Sequence, residues 1–336
     1  MLLSHINSRL HRIRCSLPCV AGAFVALFAL IGTAAVAQTY PNRSIKLIVP
    51  YSSGTGMDMI ARIVGPKLAQ RLGQPVVVEN RLGASGNIGG SAAATSAPDG
   101  HTLMVNAQSM LIASRLYRSM PFDVLADFAP ISLTAFGTQL LVTHAKSGIR
   151  NVGELVAIAK ANPGKLTYAT GGAGTSLHIT TETFNGVTDI QMLHVPYKGT
   201  ATALTDLIGG HVTVAVNAVH VVLPYVKAGT IVPLAVISPR RHVKLPDVLT
   251  MAEAGVAGVD VEFWHAMWAP KGTSKSIIAR IGAELHAILA LPDVNEAFGN
   301  VGLTPTTSKP EELDALMRRD LARLEQVIRK HNITLD

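Results

Sequence analysis

The chain has 336 residues, of which 48% are hydrophobic and 15% charged, with a formal net charge of +7. Lysine and arginine occur in no block longer than a pair such as Arg240-Arg241, so the basic stripe with interleaved aromatics of a nucleic-acid-binding surface is absent. Both cysteines, Cys15 and Cys19, lie near the start, which leaves the rest of the chain without a disulfide, a thiolate nucleophile or a cysteine-based metal site.

The first segment in chain order reads as an export leader. Arg9, Arg12 and Arg14 form a basic stretch, an apolar run follows from Val20 to Gly32, and Ala35-Val36-Ala37 supplies the small residues of an A-x-A cleavage site. A membrane anchor needs about 20 apolar residues. This run is shorter and finishes in small residues, so residues 1–37 are expected to be a signal peptide cleaved after Ala37. Cys19 precedes the apolar run and Ser16-Leu17-Pro18 is a poor lipobox, which argues against a lipoprotein. The expected product is soluble, periplasmic and long enough for one large domain or two medium ones.

Beyond the leader, short β-branched runs alternate with helical patterns, the mark of parallel α/β architecture. Strands are predicted over residues 45–49, 76–79, 103–106, 140–143, 166–169, 192–195, 212–216, 232–237 and 263–269. Helices are predicted over 59–72, 152–161 (stopped by Asn162-Pro163-Gly164), 177–184 and 201–208, then 274–291, 294–299 and 311–330.

Four of these strands end in a stretch of Gly, Ser, Thr and Asn that opens a helix. The stretches are Pro50-Tyr51-Ser52-Ser53-Gly54-Thr55-Gly56-Met57-Asp58, Gly83-Ala84-Ser85-Gly86-Asn87-Ile88-Gly89, Thr170-Gly171-Gly172-Ala173-Gly174-Thr175-Ser176 and Pro196-Tyr197-Lys198-Gly199-Thr200. In a doubly wound sheet, ligands bind outside the carboxyl ends of the strands. Helix N-termini there present unpaired N–H groups and a positive partial charge. Taken together, the four turns predict a site for a small anion. Each helix N-terminus contributes about 0.3–2 kcal/mol toward a carboxylate, and each hydrogen bond to a charged group about 1.5–3 kcal/mol. A few such donors can supply the roughly −8 kcal/mol of a micromolar receptor.

Other chemistries find little support. Gly83-x-x-Gly86-x-x-Gly89 is neither the dinucleotide fingerprint nor a phosphate loop, so no cofactor is expected. There is no G-x-S-x-G elbow, and no enzyme activity is expected. His178 and Glu182 share a predicted helix face, but one i, i+4 pair is not a metal site, and no metal is expected. Asp58 is read as the N-cap of the helix it precedes rather than a ligand contact. Trp264 and Trp268 fall on one face of a predicted strand, either in the core or as a wall of the cleft.

In their order and spacing these segments resemble the extracytoplasmic solute-binding receptors of the tripartite tricarboxylate transporter family, also called Bug-type receptors. The likeness starts at Tyr40-Pro41 and "IKLIVPY", and continues through "GQPVVVENRLGASGNIGG" (73–90), "APDGHTLMV" (97–105) and "ANPGKLTYATGGAGTSLH" (161–178). It extends through "HVPYKGTATALTDLIGGHV" (194–212), "LPYVKAGTIVPLAV" (223–236) and "LPDVLTMAEAG" (245–255). The resemblance implies an α/β, two-lobed periplasmic-binding-protein fold (type II-like) with a ligand cleft between the lobes. Lobe 1 would be residues 38–139 plus 261–336, and lobe 2 residues 140–260.

The resemblance also implies a small carboxylate ligand and delivery to inner-membrane permease subunits, and the receptor is expected to be a monomer. A sensor presenting its ligand-bound form to a signalling partner is the alternative. Carried over by position, ligand-binding residues in the first lobe would be Tyr51, Ser52, Ser53, Gly54, Thr55 and Gly56, then Ser85, Gly86 and Asn87, then Asn106, Gln108 and Ser109. The second lobe would contribute Thr170, Gly174, Thr175, Ser176 and His178, with Tyr197, Lys198 and Asn217 at its edges. Ser85 stands where the family usually has glycine and Asn217 where aspartate is common. These departures suggest an uncharged, donor-rich pocket suited to a mono- or dicarboxylate.

Overall fold

Strand β1 (Ile45–Val49) is buried at four of its five positions. A strand buried on both faces belongs inside a sheet that helices cover on both sides. In the computed structural model, which describes residues 40–197, 199–259, 263–330 and 333, β1 pairs in parallel with β2 (Val76–Asn80) and β3 (Thr102–Ala107). The leader, with its expected cleavage at Ala37, and Lys198 lie outside the described residues.

Helix α1 (Gly56–Leu72) follows β1, α2 (Asn87–Ala94) follows β2 and α3 (Ser109–Leu116) follows β3. The chain then runs through β4 (Phe128–Gly137) into β5 (Gln139–His144), with Thr138 alone between them. Next come α4 (Val152–Ala161), β6 (Thr167–Thr170), α5 (Ser176–Thr188), β7 (Leu193–Pro196) and α6 (Thr200–Gly209). After β8 (Val214–Ala218), α7 (Val219–Lys227) and β9 (Ile231–Ile237), the chain returns through β10 (Phe263–Pro270). It ends in α8 (Lys275–Leu289), α9 (Pro292–Asn300), β11 (Leu303–Pro305) and α10 (Pro310–Lys330).

The strands form two sheets, with orders β11-β4-β10-β3-β1-β2 and β7-β6-β8-β5-β9. Each contains a parallel part and antiparallel strands: β10 runs against β3 and β4, and β5 runs against β8 and β9. Helices α1, α8 and α9 bury Ile60, Val64, Leu68, Ile281, Leu285 and Phe298 on one face of the first sheet. Met110, Leu111, Leu313, Met317 and Leu321 of α3 and α10 cover the other. The second sheet is enclosed in the same way, by α4 and α5 on one face and by α6 and α7 on the other. The result is two α/β lobes, each with three layers.

The predicted strands all form. β4, β11, α3 and α7 are additions, and α2 is the helix expected after the second turn, for which no range was predicted. Pro130 interrupts the run that becomes β4, and proline argues against a central strand. It is accommodated near the end of the strand, opposite Trp268, where the pairing of β4 with β10 is irregular. Residues 219–227 carry four valines and a proline, which local propensity disfavours in a helix. Burial of Val219 and Val222 against the second sheet overrides that preference.

Trp264 and Trp268 are core residues, 1% and 0% exposed, in the cluster covered by α10. The Trp264 Nε1–H donates to the buried Asp320 carboxylate of α10 at 2.7 Å. Helix α10 packs on α3 and β4 and also touches α5 of the second lobe.

Candidate functional site

The four glycine-rich turns each lead from a strand end into a helix, and three of the helices they open converge on one cavity of about 440 Å³ between the two sheets. The first lobe lines it with Tyr51, Ser52, Gly54, Thr55, Gly56, Ser85 and Ser109. The second lobe lines it with Gly174, Thr175, Ser176 and Asn217. Gly137, Thr138 and Gln139, where the chain crosses between lobes, form part of the floor. Among the described lining residues there is no Asp, Glu, Lys or Arg.

The first turn leaves α1 open at its start. Thr55 is the N-cap but makes no side-chain capping bond, and its Oγ1 donates instead to the Ser52 carbonyl at 2.9 Å. Asp58 is therefore not the N-cap. It is the third helical residue, buried, and its carboxylate reaches back to accept from the Gly54 N–H at 3.0 Å. The same carboxylate accepts from Arg62 Nε at 2.9 Å and from Asn80 Nδ2 at 2.9 Å. Burial pushes the Asp58 pKa up, but the hydrogen bonds from Arg62, Gly54 and Asn80 outweigh it and hold it below the ordinary carboxylate range. Asp58 is not among the lining residues, and its charge is engaged by these three donors. Gly56 has no room for a side chain, since a Cβ there would lie 2.7 Å from His265 Nε2.

The second turn takes a rarer path. Gly83, Ala84, Ser85 and Gly86 all have positive φ, and for Ala84 (47°) and Ser85 (52°) that is the left-handed region. Ser85 is held there from two sides. The Tyr51 hydroxyl donates to its carbonyl at 2.9 Å, and the Tyr117 hydroxyl to its Oγ at 3.0 Å. Tyr51 also lies 3.1 Å from Ser109 Oγ. Its phenol pKa is raised chiefly by burial.

The third turn is organised without charge. Thr175 caps α5, its Oγ1 accepting from the His178 N–H at 3.3 Å and donating to the Gly172 carbonyl at 2.9 Å. His178 lies beneath the turn, 7% exposed, and is not part of the cavity wall. The fourth turn brings Gly199 and Thr200 to the cavity, whereas Tyr197 points its hydroxyl at Asp206, 2.6 Å away.

Several positions implied by the resemblance lie outside the wall for physical reasons. Ser53 is exposed, and Gly86 and Asn87 are buried under the second turn. Asn106 is buried, its Oδ1 accepting from the Ala107 N–H, and Gln108 donates to Asp320 inside the core. Thr170 is buried beside His194, and Lys198 is not described.

The structure adds wall residues that sequence reasoning missed, Tyr117, Thr138, Gln139, His220, Phe263 and His265, and brings in Thr200 from the end of the fourth turn. On a strand, alternate residues face opposite sides. Trp264 therefore enters the core under α10 while His265 faces α1 and the cavity. That alternation was the available signal for His265; for His220, at the start of α7, there was none. Burial, with His220 nearby, holds the His265 pKa down to about 3, and burial lowers His220 as well, so the floor carries neutral imidazoles. No group of three potential metal ligands occurs among the described residues. His178 and Glu182 engage Gly174 and Tyr168 instead.

Residues 60–333 match the family model described as tripartite tricarboxylate transporter family receptor. The chain belongs to this family. BugT of Bordetella pertussis is 36% identical over 313 residues, covering 93% of this chain and 96% of BugT. Among solved structures of similar proteins, R. palustris Rpa4515 with adipate is 32% identical with a TM-score of 0.79, covering 88% of this chain and 99% of that one. MatC from Rhodopseudomonas palustris with bound malate is 28% identical with a TM-score of 0.75, covering 86% of this chain and 100% of that one. The receptor family's fold, that of periplasmic binding proteins, is the two-lobed α/β arrangement described above.

Proposed function

We propose that the protein is a periplasmic solute receptor that captures a small carboxylate by closing its two lobes and delivers it to the membrane subunits of a tripartite tricarboxylate-type transporter. The observation that carries this reading is the meeting of helix N-termini, α1 from one sheet and α5 and α6 from the other, on one cavity whose described wall has no formal charge. Lobe 1 is taken as residues 38–139 plus 261–336 and lobe 2 as 140–260. Each lobe offers part of the donor set, so an anion binds the closed arrangement better than the open one and shifts the population toward it. Ligand discrimination arises because the wrong solute leaves buried donors unpaired.

The adipate and malate held by two relatives support a carboxylate. The residues proposed to contact it are those of the earlier set that reach the wall, joined by Thr138, Gln139, Thr200 and His265. The chemistry expected is binding without turnover, by a monomer.

A thermal-shift screen of the leaderless protein against adipate, malate, hexanoate, benzoate and the matching amides tests the proposal. A ligand at about 100 times its Kd adds about 2.7 kcal/mol, or roughly 5–10 °C at this size. Stabilisation by the acids and not by their amides is expected. Stabilisation by the amides alone would overturn the anion site, and recovery of a chemically altered ligand would overturn the receptor.

A further inference from the structure

Beneath the third turn lies a side-chain cluster, with Tyr168 and His178 buried and His194 half-buried, whose members are not among the cavity-lining residues. The rings of His178 on α5 and His194 on β7 stack 4.0 Å apart at 14°. The Tyr168 ring on β6 lies 4.8 Å from His194 at 15°. The Tyr168 hydroxyl donates to Glu182 of α5, which fixes the outer end of the stack. Two connections lead from the stack to the turn. His194 Nε2 lies 2.7 Å from Thr170 Oγ1, which accepts from the Gly172 N–H at 3.2 Å. His178 Nδ1 accepts the Gly174 N–H at 3.0 Å.

We infer that His178 is a positioning residue for ligand capture: through Nδ1 it holds the Gly174 N–H and so keeps residues 172–175 in the shape that presents the N-terminus of α5 to the cavity. This rests on the reading that the α5 turn belongs to the binding site. The need for such a brace follows from the turn's composition. Gly172 and Gly174 have φ of 139° and 72°, and glycine gives up more conformational freedom on ordering than any other residue. Gly172 is fixed through Thr170 and Thr175, while His178 is the partner of Gly174.

The geometry also selects a tautomer. A neutral imidazole that accepts at Nδ1 carries its hydrogen on Nε2. Burial, with His194 beside it, holds the His178 pKa down to about 3, so the acceptor persists at neutral pH. A second proton would set an N–H against the Gly174 N–H.

Three substitutions separate bracing from simple packing. His178→Asn places an amide oxygen near the position of Nδ1 and keeps the acceptor. His178→Gln places its amide nearer the position of Nε2, and His178→Leu keeps bulk without any acceptor. The first measurement needs no ligand: amide exchange at Gly174 should be slow in wild type and His178→Asn, and at least tenfold faster in His178→Leu and His178→Gln. The second is calorimetric titration with adipate and with malate. Affinity for whichever binds should fall at least tenfold in His178→Leu and return to within threefold of wild type in His178→Asn.

Should His178→Leu fail to fold, the Asn and Gln pair gives the same contrast. Equal Gly174 exchange in all four proteins, or wild-type affinity in His178→Leu, would overturn the inference. If the wild-type protein binds neither acid, the carboxylate reading fails for these probes, and Gly174 exchange alone decides whether His178 braces the turn.

Discussion

The first and third turns both bring a helix N-terminus to the same cavity, and they are held by different physics. In the first, an ion pair and an amide fix the loop: the buried Asp58 carboxylate gathers the Gly54 N–H, Arg62 and Asn80. In the third, hydroxyls and a neutral imidazole do the same work, with Thr175 on Gly172 and His178 on Gly174. Asp58 itself is not among the lining residues, and its charge is met by Arg62 and by the N–H of Gly54. The uncharged third turn needs no such compensation. The contrast teaches that a glycine-rich helix start facing the cavity can be fixed by an ion-paired carboxylate or by uncharged groups, with no unpaired charge on the described wall in either case.

Substitutions can break this comparison at several strengths. Gly56→Val should have the largest effect on binding, because the first Cβ atom already falls 2.7 Å from His265 Nε2 in a buried floor. Overpacking of this kind costs about 1–3 kcal/mol, and binding of adipate or malate should be lost with it. Wild-type melting and affinity would mean that the first turn does not pack closely on His265. Asp58→Ala removes a buried carboxylate bound by three donor residues and should lower stability by about 1.5–3 kcal/mol, read by denaturant unfolding. Thr175→Ala, which removes a cap, should cost about 1 kcal/mol. If the two costs are equal, the ion-paired turn is no more tightly held than the neutral one.

Acid should separate the turns differently. An unfolded histidine takes up a proton near pH 6.5, roughly the ordinary value, whereas His178 and His265 in the folded protein do so only near pH 3. The unfolded state therefore binds more protons between these values, and stability falls as pH is lowered through that window. Asp58, with a lowered pKa, adds to the loss only below its ordinary range near 3.8. Unfolding free energies at pH 7, 6, 5 and 4 should show this decline, with a shallower slope in His178→Asn. An unchanged slope in that variant would mean that His178 does not titrate as its burial requires.

The smallest effect is expected at Ser85. Serine at φ 52° costs about 1–2 kcal/mol relative to an unstrained residue, and the bond from Tyr117 recovers part of it. Ser85→Gly should leave stability within about 1 kcal/mol of wild type while changing ligand affinity. No change in affinity would make Ser85 a structural residue only.

Much of the molecule was readable from local patterns. Every predicted strand formed, because β-branched runs of four to seven residues bounded by turns have few alternatives in an α/β chain. The four strand-end turns were identifiable from composition, and each opens a helix as expected. What escaped were elements whose local preference is overruled by packing. β4 contains Pro130, and α7 is a valine-rich segment held helical by burial. The site divides in the same way. Tyr51, Thr55, Gly174 and Ser176 reach the cavity because they lie in the turns themselves. Gln108, Asn106 and Thr170 stand at the right place along the chain but face the core. His220, His265 and Thr138 arrive from segments that no turn motif marks.

By itself the sequence determined the α/β class, the helix-opening turns and the family, since these depend on periodicity and on glycine and hydroxyl residues at particular local positions. Tertiary structure decided which of those residues face the cavity. That choice depends on how two sheets are brought together through Thr138 and on which face of β10 meets α1, distances that no window of neighbouring residues contains. It also turned Asp58 from a cap into a clamp and His178 from a wall residue into a brace, because a side chain's role follows from the partner it finds across the fold.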